Sequence, residues 1–368
     1  MPKIKETTLE IDLKALRHNF EYLKSRMSPK TKFLGVVKAF AYGSDSVLVA
    51  KKLETLGADY LAVAYAQEGI VLREAGIRLP ILVLHALPVS FNEIIDRCLE
   101  PNIYSFHTLK EFIKTASEKG QKEYPIHLKF NTGLNRLGFN TSDVETVAAL
   151  LSETTSVKVK SVFSHMAASE DPIEKPFTLK QIDRYKTIVG QMERLLGYAF
   201  IKHMCNTSGI LNYPEAHFDM VRSGIGLYGF GNSEKENKNF KPIGRLKSII
   251  SQIHHLDVGE SLGYNMAFVT KEPIKTATIP IGHADGIGRQ YGKGKGFVVI
   301  NHKPAPILGN VCMDMIMVNI TNIDCSEGDE VVVFDAHYTA EEFASTAQTI
   351  SYEIITAISQ RVKRVVLE

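Results

Sequence analysis

A lysine closing an apolar run is the first residue of this chain placed to do covalent chemistry. Lys38 stands in Val36-Val-Lys-Ala-Phe-Ala-Tyr-Gly43. Taken out of water, its amine gives up its proton more readily and becomes a nucleophile. Further along come Arg136, Ser164-His165, Asn206-Thr207-Ser208-Gly209 and Arg222-Ser-Gly-Ile-Gly226. The last two segments carry hydroxyls and glycine amides of the kind that cradle an anionic oxygen. Arginine donates hydrogen bonds and accepts none, and histidine can hold or release a proton near neutral pH. Each residue alone has a plainer role: a snorkelling lysine, a core histidine, a strand-end salt bridge. Cys98, Cys205, Cys312 and Cys325 lie far apart, so neither a disulfide framework nor a metal site is expected.

The elements that would position these residues follow a repeating pattern. Asp12 can cap a first helix whose apolar stripe is Leu13, Leu16, Phe20 and Leu23. Short apolar runs then fall at residues 33–37, 60–63, 81–84, 103–105, 126–130, 157–163, 200–203 and 218–221. They read as strands buried on both faces. Helical stretches lie between them, and Thr108-Leu-Lys-Glu111 and Thr178-Leu-Lys-Gln181 fit capping boxes. Eight strands in βα alternation are the sequence form of a (β/α)8 barrel, although a doubly wound open sheet shows similar runs. In a barrel the strand C-termini share one rim, and that rim carries the active site. Lys38 and Tyr42 follow the first strand, Arg136 the fifth, His165 the sixth, Asn206 and Thr207 the seventh, and Arg222 the eighth. A buried lysine beside an anion cradle suggests pyridoxal phosphate held as a Schiff base.

Near residue 240 the pattern changes to short strand-like runs at 249–253, 267–270, 276–281, 296–300, 305–308, 315–320 and 330–334, with late helices at 340–347 and 351–359. The expected division is a barrel over residues 1–240 and a mostly β domain over 241–368, the first residues being free to pair with the second domain. The chain has 368 residues, 43 Lys+Arg against 41 Asp+Glu, and no tryptophan. That balance offers no electrostatic footprint for nucleic acid or membrane. No apolar run approaches the roughly 18 residues of a spanning helix. Met1-Pro-Lys-Ile-Lys-Glu-Thr-Thr lacks a signal-peptide apolar core, so a cytoplasmic protein is expected.

Nine motifs in order give a resemblance. They are Val-Val-Lys38-Ala-Phe-Ala-Tyr42-Gly, Lys129-Phe-Asn-Thr-Gly-Leu-Asn-Arg136, Ser164-His165, Asn206-Thr207-Ser208, Arg222-Ser-Gly-Ile-Gly-Leu-Tyr-Gly229, Gly263-Tyr264, Gly282-His-Ala-Asp-Gly286, Val311-Cys-Met-Asp314 and Ser351-Tyr-Glu-Ile-Ile. In these the chain resembles the alanine racemases, fold-type III pyridoxal-phosphate enzymes, from about residue 8 to about residue 365. The resemblance implies that Lys38 binds the cofactor and is the base on one side of the substrate α-carbon. Tyr264, from the partner of an obligate head-to-tail homodimer, is then the base on the other side. Two bases are needed because the α-carbon must regain its proton from the face that did not lose it. The resemblance places Arg222 against the pyridine nitrogen, which leaves that nitrogen unprotonated and the ring a weaker electron sink. His165 would bond Arg222 in a network that lets Tyr264 act as a base near neutral pH. Arg136 would hold the cofactor phenolic oxygen and the substrate carboxylate, with Lys129, carbamylated in many members, positioning it. The partner's Met313 amide would also bind that carboxylate. Tyr42, Thr207, Gly224, Ile225 and Tyr352 match the phosphate-binding positions. Cys312 has no evident base and reads as a buried thiol.

Where the family usually has asparagine, aspartate and proline, this chain has Phe40, Asn131 and Ser223. His283 stands where a tyrosine lines the substrate entrance, and Asn310 where an arginine lies further out. Both changes fall on the substrate corridor. The expected activity is interconversion of L- and D-alanine, supplying D-alanine for peptidoglycan. The alternatives are a broad-specificity racemase, a fold-type III decarboxylase of the ornithine type, and a non-catalytic pyridoxal-phosphate-binding barrel. Arg222 argues against the decarboxylase, which pairs an acid with the ring nitrogen. The residues after 240 are left unexplained by the barrel alone.

Overall fold

The structure is a computed structural model describing residues 5–368; residues 1–4, on which part of the reading of the N-terminus falls, lie outside it. After β1 (Thr8–Asp12) come eight parallel strands alternating with helices. They are β2 (Lys32–Val36), β3 (Tyr60–Val63), β4 (Ile81–Val83), β5 (Glu100–Ile103), β6 (Tyr124–Lys129), β7 (Val157–Phe163), β8 (Ile201–His203) and β9 (Met220–Ser223). Their order is β8-β7-β6-β5-β4-β3-β2-β9. The circle closes where the Asp219 amide donates to the Lys202 carbonyl at 3.0 Å and the Lys202 amide donates to Asp219 Oδ2 at 2.9 Å. The result is a (β/α)8 barrel. Most of its strand residues are buried because helices cover the outside and side chains fill the inside. The expectation of burial on both faces fails for the first half of β7, where Lys158 and Lys160 are exposed, and for Ile201 and Lys202 of β8, which are half-buried.

The first helix, Leu13–Ser25, forms as its sequence dictates. Asp12 Oδ1 accepts from the Lys14 and Ala15 amides at 2.9 Å, and Leu13, Leu16, Phe20 and Leu23 are buried. The two expected capping boxes are corrected. In the helix Phe106–Glu118 the cap is Ser105, and Thr108 is its reciprocal partner, taking the Ser105 amide at 3.1 Å. Ser105 therefore caps the helix, and the fourth barrel strand, Glu100–Ile103, ends where the run expected at 103–105 begins. The helix Lys175–Leu196 begins before Thr178, with Pro176 in the first turn, where a missing N–H leaves no bond unmade. Thr178 and Gln181 instead face inward, bonding the carbonyls of Ala168 and His165.

The second layer is a nine-stranded sheet of order β11-β14-β17-β16-β15-β18-β10-β1-β19. Its further strands are β10 (Gly244–Ile249), β11 (Gln252–Leu256), β14 (Ile274–Ile279), β15 (Phe297–Ile300), β16 (Lys303–Leu308), β17 (Ile316–Asn319), β18 (Glu330–Phe334) and β19 (Lys363–Leu367). A separate ribbon pairs β12 (Ser261–Leu262) with β13 (Phe268–Val269). The run expected at 249–253 is split, because the amides of Ile250 and Ser251 bond different neighbours, Asp329 and Thr278. Strand β1 lies between β10, antiparallel, and β19, parallel, so both ends of the chain enter this sheet. The fold is thus an α/β barrel followed by a mostly β domain. Among the described residues no helix is long and apolar enough to cross a membrane.

The two layers meet hard against the residues that follow Lys38. Ala39, Phe40, Ala41 and Tyr42 all have φ between 51° and 55°, a left-handed turn closed by Gly43 at φ 79°. Such a conformation costs roughly 1–2 kcal/mol for each residue bearing a Cβ, so the surroundings must hold it. Glu68 Oε1 accepts from the Ala39 amide at 2.6 Å, and Arg364 of β19 donates to the carbonyls of Gly43 and Ser44 at 2.8 and 3.1 Å. A Cβ on Gly43 would stand 1.8 Å from the Ile355 carbonyl oxygen, so only glycine lets the turn pack against the helix Ser351–Ala357. Ala39 is exposed and its side chain contributes little to packing. The variant Ala39→Gly is therefore expected to relieve strain and stabilise the protein by about 1 kcal/mol, read as a higher denaturant midpoint. An unchanged or lower midpoint counts against a strained turn.

Candidate active site

The C-terminal ends of the barrel strands surround a cavity of about 550 Å³. Lys38 reaches it directly after β2, Lys129 from the end of β6, and Arg136 from the loop beyond. His165 comes from just after β7, Thr207 from after β8, and Arg222 from within β9, with Gly224 and Ile225 next in the chain. Tyr42 lines it from the left-handed turn and Tyr352 from the second domain. The sequence scattered these residues over more than 300 positions, and barrel closure brings them to one opening.

Arg222 lies at the inner end and is 5 % exposed. Its Nη1 donates to His203 Nδ1 at 2.8 Å. Its Nη2 donates to the Ser164 carbonyl at 2.8 Å, to His165 Nδ1 at 3.0 Å and to the Met204 carbonyl at 3.3 Å. All four acceptors are neutral. Burial lowers its pKa to about 10, which still leaves it cationic at neutral pH. Burial, reinforced by Arg222, holds His165 and His203 well below the usual histidine range, so both rings are neutral. Since each offers Nδ1 to the arginine, each carries its proton on Nε2.

The remaining charges are one-signed. Burial lowers the Lys38 pKa and Arg136 adds to the effect, while Glu68 opposes it. Burial, then Arg136, Arg222 and Lys38, bring Lys129 down to about 8. No acidic side chain lines the cavity among the described residues. A cavity of cations without a carboxylate favours an anionic occupant. One end is shaped for one. A Cβ on Gly224 would stand 2.2 Å from Tyr42 Oη, so glycine lets that phenol approach the backbone. The first amides of the turn Ile225–Tyr228 find no acceptor within it, and that of Gly226 donates to Thr207 Oγ1 at 3.3 Å. Thr207 Oγ1 lies 3.0 Å from Ser223 Oγ, and Tyr352 Oη donates to Asn232 Oδ1 at 3.2 Å. These residues fit pyridoxal phosphate: an anion cup at one end, an amine at the side, and a guanidinium across from it.

Three expected residues lie elsewhere. Tyr264 is 74 % exposed and Met313 59 % exposed, and both stand on the β domain, away from the cavity of their own chain. His283, also exposed, joins them: its amide donates to the carbonyl of Cys312, whose side chain is half-buried rather than buried as expected, and the Ala284 amide to that of Met313, both at 3.0 Å. Asn310 Nδ2 donates to the Tyr264 carbonyl at 3.4 Å. Arg361 ties the two loops, donating to Asp285 at 2.7 and 3.0 Å and to Asp314 at 2.7 Å. Tyr264 and Met313 thus form a second, outward-facing surface.

Sequence reasoning missed His203, Asn232, Tyr65 and His85. His203 carried a signal, since it ends the seventh barrel strand as His165 follows the sixth. Glu68 was also missed. Its Oε2 accepts from the Ala64 and Tyr65 amides while Oε1 takes that of Ala39, so one carboxylate stitches two rim loops.

Comparison with known proteins agrees along the whole chain. The family model for the alanine racemase N-terminal domain matches residues 11–231, and that for the alanine racemase C-terminal domain matches residues 243–366. Alanine racemase 2 of Caldanaerobacter subterraneus subsp. tengcongensis is 35 % identical, covering 99 % of this chain and 95 % of that one. The alanine racemase of Clostridium difficile 630 superposes with a TM-score of 0.92 at 34 % identity, covering 100 % of this chain and 97 % of that one. The alanine racemase of Bartonella henselae, solved with covalently bound pyridoxal phosphate, superposes with a TM-score of 0.89 at 27 % identity, covering 98 % and 99 % of the two chains. From its barrel rim to its last strand, this chain belongs to the alanine racemase family of isomerases.

Proposed function

We propose that this protein is a pyridoxal-phosphate-dependent alanine racemase that interconverts L- and D-alanine in the cytoplasm and supplies D-alanine for peptidoglycan. The observation that carries this reading is a cationic cavity holding Lys38 and a carboxylate-free Arg222. The covalently bound pyridoxal phosphate of the Bartonella henselae relative supports the choice of cofactor. Bound here, it would draw electron density from the substrate α-carbon and so ease loss of the α-proton.

The chain's own residues would divide the work. Tyr42, Thr207, Gly224, Ile225 and Tyr352 would hold the phosphate, and Arg222 would donate to the ring nitrogen. A guanidinium there keeps its proton, so the nitrogen stays unprotonated and withdrawal stays moderate, which disfavours side reactions. Lys38 Nζ would hold the cofactor and move the α-proton on one face. Arg136, a planar fork, would orient the substrate carboxylate together with the partner's Met313 amide. On the other face the proton would belong to the partner's Tyr264, for which His165 Nε2–H is a donor able to stabilise the phenolate.

A dimer completes this arrangement. Tyr264 and Met313 stand exposed beside Met266 and Met315, an apolar surface suited to burial against a second copy. We propose the domain division at about residue 240, with β1 assigned to the second domain, and head-to-tail pairing that brings each second-domain surface to the other copy's cavity.

Three outcomes are expected. Borohydride treatment of protein loaded with pyridoxal phosphate fixes the reduced cofactor on Lys38, located by mass spectrometry; a label elsewhere removes the lysine from its role. The variants Lys38→Ala and Tyr264→Phe are each nearly inactive, yet a refolded mixture regains about a quarter of wild-type racemisation, because each mixed dimer holds one intact site. Circular dichroism with alanine, serine and lysine reads it, and no recovery sinks the shared site. With 13C-bicarbonate, a carbamate resonance rises through pH 8 as the Lys129 amine becomes neutral and then levels off, and Lys129→Met lacks it. A resonance absent from wild type removes the carbamate.

A further inference from the structure

Arg222 is a buried cation that no carboxylate among the described residues touches, and isolated buried charge is costly. From its Nη1 a line of hydrogen bonds runs round the inside of the barrel. Arg222 meets His203 Nδ1 at 2.8 Å, and His203 Nε2 meets Ser161 Oγ at 3.0 Å. Ser161 Oγ then meets His127 Nδ1 at 2.5 Å, and His127 Nε2 meets Glu100 Oε2 at 2.6 Å. The five residues come one each from β9, β8, β7, β6 and β5, neighbouring strands of the barrel wall. Ser161 stands directly opposite His127 in the β6–β7 register. His203, Ser161 and His127 are 0 % exposed.

The donors in this line can be assigned. Arginine only donates, so His203 Nδ1 accepts and its proton sits on Nε2, aimed at Ser161. The Ser161 hydroxyl then gives its own proton to His127 Nδ1, which places the His127 proton on Nε2, aimed at Glu100. Were His127 doubly protonated, Ser161 would accept from both sides and its hydroxyl proton would have no acceptor among the described residues. Every bond therefore points from Arg222 toward the carboxylate.

We propose that Glu100 is the remote counter-charge of Arg222, and that Glu100, His127, Ser161 and His203 are positioning residues for its guanidinium. A carboxylate in direct contact would take two guanidinium N–H groups at once and turn the fork away from the cavity. A neutral imidazole takes one, along a fixed line, and leaves the others for His165 and for the cavity. The consequence for the reaction rests on the racemase reading above, whereas the hydrogen-bond line itself does not.

The test uses full-length protein labelled with 15N-histidine and free of added ligand, whose long-range proton–nitrogen spectra show which ring nitrogen is protonated. Wild type is expected to have His127 and His203 neutral and protonated on Nε2. Glu100→Gln keeps an acceptor but removes the charge, and should move the resonances of both rings. On a Ser161→Ala background the same substitution should leave His203 unmoved. With pyridoxal phosphate and L-alanine supplied, the ratio of transamination to racemisation should rise roughly three- to thirtyfold in either single variant, and no further in the double. His127→Gln should raise it likewise, which keeps the test open where Glu100→Gln does not fold. A His203 ring that is cationic, protonated on Nδ1 or indifferent to Glu100→Gln overturns the proposal, as do effects of the two single variants that add. If wild type fails to racemise alanine, the functional reading falls, and the spectra still decide the line.

Discussion

A guanidinium held inside a barrel without a carboxylate constrains most of what surrounds it. Arg222 must find neutral acceptors for its N–H groups, and it finds them in the carbonyls of Ser164 and Met204 and the rings of His165 and His203. A parallel barrel suits this task, because the ends of neighbouring strands present carbonyls and side chains to a common centre. The charge that remains is not cancelled locally. With Lys38, Lys129 and Arg136 it gives the cavity one sign, which favours an anionic occupant.

Positioning Lys38 calls on a different kind of force. The lysine ends a strand, and the four residues behind it turn left-handed, a conformation their side chains resist. What holds the turn comes from outside the barrel: Arg364 of the last strand donates to its carbonyls, and the helix carrying Tyr352 packs on Gly43. The second domain therefore acts on the cavity of its own chain, by clamping the rim and by lending Tyr352. Its other face, with Tyr264, Met313 and His283, is built to a similar standard. Arg361 bonds both Asp285 and Asp314, and so fixes two exposed loops relative to each other. Loops fixed in this way and facing outward are what the proposed completion of the site by a second copy would require.

Much of this was legible in the chain. Apolar runs of strand length, spaced by helical stripes, implied the barrel, because a parallel strand covered on both sides needs side chains of one kind throughout. Lys38, Arg136, His165, Thr207 and Arg222 could be assigned to one rim on the same logic. The β domain was harder to read, since its strands pair out of order and a single apolar run, 249–253, serves two of them. Strand β19 escaped notice, and β1 was anticipated only as first residues free to pair with the second domain, because their partners lie at the opposite end of the sequence. The capping boxes misled for a local reason: several hydroxyl residues near a helix start satisfy the same pattern, and only the bonds actually made distinguish Ser105 from Thr108.

By itself the sequence determined which chemistries were on hand and the periodicities that bring them to strand ends, since both depend on side-chain type and near-neighbour spacing. Only the tertiary structure decided which groups share a low-dielectric interior. It set the neutral rings around Arg222, the lowered amines of Lys38 and Lys129, and the line that joins Glu100 to the arginine across five strands. The reason is that burial and long-range contact fix charge, and neither can be computed until the chain has closed on itself.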